Sequence, residues 1–261
     1  MPRQNWISFL TDYGLDDVYV GVCHGVIARS APHARVIDVC HTVPSGSIAA
    51  GARLLAKAAP YLPAGIVLAV VDPGVGTSRR PIGVLAGDSI LVGPDNGLLL
   101  PAAEALGGVR AAFELTGHTP ASMTFHGRDL FAPVAAQLAL GLEPKLLGPQ
   151  LDHESLVMLP APKVKVTAEA ITGEVALVDS FGNLQTTVVG DASAMPVGAR
   201  VMLFFGGRRR IATVGRTFAD VARGKLMLYV DSAGYLAVAV NGGNAAQKVG
   251  VGPGTEITIR R

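Results

Sequence analysis

Two cysteines in 261 residues are too few for a disulfide scaffold. Cys23 and Cys40 both sit in apolar stretches, so both are expected as buried thiols in a reducing cytoplasm. Charge is also scarce, at 16% of residues, and nearly balanced at a formal +2. A nucleic-acid binder carries a basic face, and only Arg208-Arg209-Arg210 is dense enough to suggest one. That run follows Gly206-Gly207 between two apolar stretches, which reads as a solvated hairpin. No apolar run approaches the ~20 residues needed to cross a bilayer, and Ile7 to Leu10 is cut off by Asp12, too short for a signal peptide. Neither nucleic acid nor membrane is an expected partner. No internal repeat or low-complexity tract is evident.

What is present is globular. Hydrophobic residues make up 49% of the chain, and its 32 glycines fall in turn-like clusters that imply many short elements. The first part alternates strand and helix patterns. Trp6 to Leu10 reads as a strand. Asp16 to Arg29 reads as a helix with Val18, Val22 and Val26 on one face and two acids in its first turn. Arg35 to Val39 reads as a strand, Ile48 to Ala59 as a helix stopped by Pro60, and Ile66 to Val71 as a strand covered on both faces. Ile90 to Val92 and then a helix over Asp129 to Leu140 complete a pattern that predicts a parallel α/β sheet. Pro160-Ala161-Pro162 reads as a linker. Beyond it, Glu174–Val178, Arg200–Phe205, Leu226–Val230, Leu236–Val240 and Thr255–Ile259 are short strands between glycine turns. The expected division is an α/β domain over 1–160 and a smaller all-β domain over 163–261.

Open parallel sheets bind ligands beyond the carboxyl ends of their strands. Three predicted strands end in acid-bearing turns: Thr11-Asp12-Tyr13-Gly14, Asp72-Pro73-Gly74-Val75-Gly76 and Gly93-Pro94-Asp95-Asn96-Gly97. Asp in such turns also caps helices or closes Asx turns, so each acid alone has a structural reading, and only their shared edge favours a site. No His or Cys stands at ligand spacing beside these acids, so no metal is expected there. Gly74-Val75-Gly76 lacks the full dinucleotide fingerprint, and no lysine followed by Ser or Thr closes the turn, which argues against a phosphate loop. Thr124-Phe125-His126-Gly127-Arg128-Asp129 is a further polar island opening a helix. A histidine there has its cationic form disfavoured, and a neutral imidazole can act as a base, although a hydrogen-bonded structural role is the ordinary alternative. His24, His33, His41, His118 and His153 have less suggestive neighbours.

Together these segments resemble a known family. Phe-Leu-Thr-Asp-Tyr-Gly at 9–14, Val-Val-Asp-Pro-Gly-Val-Gly-Thr-Ser-Arg-Arg at 70–80, Gly-Pro-Asp-Asn-Gly at 93–97, Thr-Phe-His-Gly-Arg-Asp at 124–129, Asp-Ser-Phe-Gly-Asn at 179–183 and the stretch from Ser232 to Ala246 are similar, in order, to the S-adenosylmethionine (SAM) hydrolases. These are also called hydroxide adenosyltransferases and are related to the fluorinases and chlorinases. The resemblance implies a Rossmann-like α/β domain followed by an all-β barrel domain, and a homotrimer with substrate between the N-domain of one subunit and the C-domain of its neighbour. It implies cleavage of SAM by water attack at the ribose 5′ carbon, giving adenosine and methionine, with no cofactor and no metal.

The resemblance assigns the water-handling triad to Asp72, Arg79 (seven residues later, in preference to Arg80) and His126. Arg79 would stabilise the attacking oxygen, Asp72 would orient Arg79 and the water, and His126 would hold or deprotonate it. It places Asp12 on the ribose diol, Asp17 and Asp179 at the methionine ammonium, and Ser232 near methionine's polar end. Phe181 and Asn183 would hold the adenosyl part, with Asn183 on the adenine edge. Phe218 would stack on the base, and Thr124 and Phe125 would line the reacting centre. Ala233 follows Ser232 where the fluorinase has an arginine, so no side chain is assigned to the methionine carboxylate. The halogenases carry tyrosine at the histidine position, and the fluorinase a serine next to it. His126-Gly127 therefore resembles the hydrolase, leaving a SAM-dependent halogenase or a non-catalytic adenosine or SAM sensor as the alternatives.

Overall fold

The structure is a computed structural model describing residues 3–117, 119–191 and 195–260; His118 lies outside them. The chain divides into two compact units, Met1–Leu159 and Pro160–Arg261.

The first unit is built on seven strands: β1 Trp6–Thr11, β2 Arg35–Cys40, β3 Ile66–Val70, β4 Pro81–Ala86, β5 Ser89–Pro94, β6 Val109–Glu114 and β7 Gln150–Leu151, in the order β2-β1-β3-β5-β4-β6-β7. The β1–β2, β1–β3 and β3–β5 pairings are parallel. β4, β6 and β7 extend the sheet with antiparallel pairings. The four strands read from the sequence are thus parallel as expected, and the antiparallel extension is added by strands the sequence pattern did not reveal. A two-residue turn at Gly87-Asp88 can join only antiparallel neighbours. β3 is buried along its whole length, as its unbroken apolar run requires.

Four helices flank this sheet: α1 Tyr19–Ser30, α2 Ile48–Ala58, α3 Leu100–Ala105 and α4 Ala132–Ala139. α1 packs on α4, and α2 on α3. Ile7, Phe9 and Leu68 of the sheet share one core with Cys23 and Ile27 of α1 and Val134 and Leu138 of α4. α1 starts three residues later than its pattern predicts, so Asp16 and Asp17 precede the helix and its first turn carries no acid. α4 is preceded by a π-helical turn over Gly127–Phe131, with Pro133 in its own first turn, where the missing N–H costs nothing. Cys23 is buried as expected, but Cys40 is half-buried, because β2 is the edge strand of the sheet.

The second unit contains β8 Lys165–Val166, β9 Ala170–Val178, β10 Leu184–Val189, β11 Arg200–Phe205, β12 Arg208–Val214, β13 Leu226–Val230, β14 Tyr235–Val240, the short helix α5 Ala245–Val249 and β15 Glu256–Arg260. The order β10-β14-β13-β12-β11-β15-β9 closes on itself through a β10–β9 pairing, giving a seven-stranded barrel with β8 alongside β9. Inward residues such as Leu203, Phe205, Leu228, Val238 and Ile257 fill it. The arginine run is the hairpin read from sequence. Phe205 pairs with Arg208 across Gly206-Gly207, both glycines have positive φ (52° and 85°), and only such a turn matches the strand twist.

Candidate active site

Because β1, β3 and β5 run parallel, their carboxyl ends share one edge. β1 delivers Asp12 and Tyr13 there. Gly14, at φ 74°, turns the chain back so that its N–H donates to the His41 carbonyl at 2.7 Å. The Gly46 N–H donates to Asp12 Oδ2 at 2.7 Å. β3 delivers Asp72. The following turns, closed by Val75 N–H to Asp72 O and Thr77 N–H to Gly74 O, reverse the chain so that Arg79 returns onto the carboxylate seven residues before it. Gly76 lies against the Met123 carbonyl, with no space for a Cβ. That close approach brings the 121–126 loop beside the same turn.

Arg79 joins the other two triad positions. Its Nε donates to both oxygens of Asp72, at 3.1 and 2.9 Å, and its Nη2 donates to Oδ2 at 2.5 Å. The same Nη2 lies 2.8 Å from His126 Nδ1. Both members of the ion pair are nearly out of solvent, the side chains 10% and 5% exposed, and the guanidinium sits over the Phe131 ring at 5.1 Å. A guanidinium has donors only, so Nδ1 must be the acceptor and the neutral imidazole carries its proton on Nε2. Burial, then the charge of Arg79, hold the His126 pKa below its ordinary 6.5, which keeps the ring neutral. Nε2 is buried and has no hydrogen-bond partner in the described structure. A buried donor left unpaired is costly and marks a place where a ligand or water oxygen belongs.

Around this centre, Phe125 packs edgewise on Tyr13 and Tyr19, with ring centroids 5.8 and 5.1 Å apart. Burial pushes the Tyr13 phenol well above its ordinary range. Thr124 is exposed, its hydroxyl 3.1 Å from that of Ser122. Asp17, also exposed, accepts the Val18 N–H at 2.6 Å, ahead of α1. Asp129 anchors the loop that carries Thr124 and Phe125 by accepting the Ser122 N–H at 2.8 Å. The Arg128 guanidinium, then that N–H, hold the Asp129 carboxyl below the usual carboxylate range.

Asp95 does not join the site. It is buried beneath Arg80, which donates to it at 2.9 and 2.5 Å, and it also accepts the Val157 N–H. Of the two adjacent arginines, Arg79 meets the triad and Arg80 fastens the end of the unit. Sequence reasoning passed over Tyr13 and the Arg128–Asp129 anchor. Gly127 was their available signal, since any side chain there would overlap the Tyr13 hydroxyl.

Within the barrel unit, Asp179 closes the turn after β9. Its Oδ1 accepts the backbone N–H of Phe181 and Asn183 at 2.9 and 2.8 Å, and its Oδ2 accepts the Asn183 side-chain amide at 2.8 Å. Asn183 is buried, whereas Phe181 stands 77% exposed. Phe218 is half exposed and packs edgewise on Tyr229 at 5.8 Å. The Tyr229 phenol is pushed up to about 12 by burial and by the charges of Asp179 and Asp231. The Asp179 charge thus reaches Tyr229, while Ser232 is exposed in the neighbouring β13–β14 turn.

Residues 7–148 match the family model of the SAM hydroxide adenosyltransferase N-terminal domain, and residues 173–258 that of the C-terminal domain. The chain belongs to the SAM hydroxide adenosyltransferase family. It is 54% identical to a (R)-S-adenosyl-L-methionine hydrolase of Salinispora tropica, over 99% of both chains. It is 44% identical to one of Thermus thermophilus, over 97% of this chain and 98% of that protein. A fluorinase of Actinopolyspora mzabensis is more distant, at 27% over 98% and 97%. A crystal structure of an uncharacterized conserved protein from Thermotoga maritima superposes with a TM-score of 0.91 at 40% identity, covering 98% of this chain and all of that one. The hydrolases' name specifies the R configuration at sulfur, a stereochemical detail that none of the motifs encodes.

Proposed function

We propose that this chain hydrolyses (R)-S-adenosyl-L-methionine to adenosine and L-methionine, with water attacking the ribose 5′ carbon, and that Asp72, Arg79 and His126 handle that water. The observation that carries the reading is the unpartnered, buried Nε2–H of His126, held in that tautomer by Arg79.

The chemistry asks little of an enzyme beyond placement. Methionine leaves as a neutral thioether, so its departure needs no general acid. As the C–O bond forms, the C5′–S electron pair goes to sulfur and the attacking oxygen becomes strongly acidic, so an ion-paired carboxylate such as Asp72 is base enough to take its proton. In its Nε2–H tautomer His126 donates a hydrogen bond to the incoming oxygen; it holds the water rather than deprotonating it. Holding water in line with the C–S bond recovers much of the entropy cost of a bimolecular step.

Asp72 has a second role. The substrate is a cation, and an uncompensated guanidinium at roughly 5 Å would repel it by about 3 kcal/mol at an effective dielectric of about 20. The bidentate carboxylate cancels that charge. Asp12 and Asp17 on the first unit, and Asp179, Phe181, Asn183, Phe218 and Ser232 on the barrel, are the proposed substrate contacts. Thr124 and Phe125 are the proposed lining of the reacting centre. The oligomer is proposed to be a homotrimer, and the reaction to need no cofactor.

The test is incubation of the purified protein with each sulfonium epimer in chelated, halide-free, ¹⁸O-labelled water. Equimolar adenosine and methionine from the R epimer, with label in the 5′ hydroxyl and little product from Arg79→Ala or His126→Ala, is the expected result. Product only when halide is added would make the chain a halogenase. Adenosine binding without turnover would make it a sensor.

A further inference from the structure

We propose that His24, Asp38 and His41 form a binding site for one divalent transition ion of the zinc type, distinct from the triad. The three residues come from α1, β2 and the turn after β2, and no motif joins them. Asp38 Oδ1 lies 2.8 Å from His24 Nε2 and 2.9 Å from His41 Nε2, and one ligand atom from each of the three falls within 4.8 Å of the others. Ligand atoms around a tetrahedral zinc with bonds of about 2.0–2.1 Å stand roughly 3.3 Å apart. To become a coordination set the two Asp38 contacts must open by about half an ångström, and the ligand atoms up to 4.8 Å apart must close by about 1.5 Å, a shift within reach of side-chain rotation. Asp38 is the group able to give way, since its side chain is half exposed and it sits on the edge strand β2.

The His41 imidazole is already held in orientation. His41 Nδ1 lies 2.8 Å from Thr11 Oγ1, the outer hydrogen bond that fixes a metal-binding histidine in its tautomer and orientation. Its ring packs edgewise on Phe9 at 4.8 Å, and the His24 ring lies 5.9 Å from the same phenylalanine. Exposure is graded from 2% for the His41 side chain through 34% for His24 to 50% for Asp38. An ion can therefore enter from solvent on the Asp38 side and keep a water as its fourth ligand. Two imidazole nitrogens and one carboxylate suit zinc and its neighbours. Magnesium and calcium demand an oxygen shell that these residues do not supply.

The test uses the full chain without an affinity tag, stripped with chelator, titrated with ZnCl₂ by calorimetry and with Co²⁺ by visible absorption. One ion per chain should bind, with cobalt bands of a nitrogen- and oxygen-ligated centre. His24→Ala and Asp38→Asn should each weaken zinc binding at least tenfold. His24→Ala should leave metal-free SAM turnover within twofold, which also shows that the variant folds. His126→Ala should bind zinc normally, so loss of hydrolysis and loss of this site are separable. The proposal is overturned if zinc up to millimolar concentration gives no saturable binding. It is also overturned if affinity is unchanged in both His24→Ala and Asp38→Asn, or if binding disappears in His126→Ala.

Discussion

Arg79 Nη2 and His126 Nδ1 face each other at 2.8 Å, donor to acceptor, and this contact decides which imidazole nitrogen carries the proton. Protonating the ring would set a second N–H against the guanidinium. Burial and the Arg79 charge already hold the His126 pKa below 6.5. The kcat/KM profile is therefore expected to stay level down through 6.5 and to fall on an acid limb below it. The same shift makes the folded state bind fewer protons than the unfolded one between the lowered pKa and 6.5, so His126 lowers stability as the pH falls below 6.5. A limb at or above 6.5 that disappears in His126→Asn would refute the neutral-tautomer assignment.

Asp72→Asn keeps the shape of the ion pair but leaves the guanidinium's charge uncompensated beside a cationic substrate. The repulsion estimated above, about 3 kcal/mol, corresponds to up to roughly a hundredfold. It is expected in KM as well as in kcat. Steady-state kinetics with KM unchanged would show that Asp72 acts only on the water.

Arg79 and Arg80 are expected to separate in activity. Arg79→Ala should abolish turnover and, because it leaves the nearly buried Asp72 carboxylate without its partner, also cost about 3 kcal/mol of stability. Arg80→Ala leaves Asp95, 1% exposed at its side chain, without its charge partner. Because Arg80 itself is partly solvated, the loss is put at about 2–3 kcal/mol, the low side of the range for a broken buried pair. Its activity per folded molecule should persist. Chemical denaturation and active-site titration of the two variants measure both quantities.

Gly127 has no room for a side chain because the Tyr13 hydroxyl lies against it. Gly127→Ser should therefore lower kcat at least tenfold and destabilise the fold. Adding Tyr13→Leu should return much of the stability, a coupling that a double-mutant cycle reads directly. Additive losses would mean that the two positions do not compete for space.

The two thiols should differ. Burial pushes the Cys23 thiol up to about 12, whereas Cys40 is only half-buried. A thiol reagent at neutral pH should modify one cysteine in the native protein and both after denaturation. Two native equivalents would contradict the core position of Cys23.

Legibility followed local chemistry. Arg200–Phe205 and Leu226–Val230 were read to the residue, because short unbroken apolar runs bounded by glycine turns admit little else. β4 and β6 were missed. Pro81-Ile-Gly-Val-Leu-Ala and Val109-Arg-Ala-Ala-Phe-Glu are rich in alanine and glycine, whose strand preference is weak, and become strands only by pairing with each other and with β5. Asp16 and Asp17 look like first-turn acids, yet the helix begins after the bend that follows Gly14. Asp12 and Asp72 at one sheet edge followed from the strand pattern; Asp95, a suspect on the same ground, takes its structural alternative, since a carboxylate's partner is invisible until Arg80 folds over it. Triad membership came from motif resemblance. The tautomer of His126 and the convergence of His24, Asp38 and His41 needed coordinates, because they depend on side chains from separate elements.

The barrel's ring is sealed by β15 lying between β9 and β11, and Glu256 pairs with Glu174. On the ribosome, the early staves must therefore wait for the late one. At ordinary synthesis rates the interval is on the order of ten seconds, during which β9 has one flank unpaired. The first unit's sheet, ending at Leu151, is free of that delay and is complete before the barrel's sequence emerges. A nascent chain is thus expected to carry a protease-resistant first unit well before the second resists digestion.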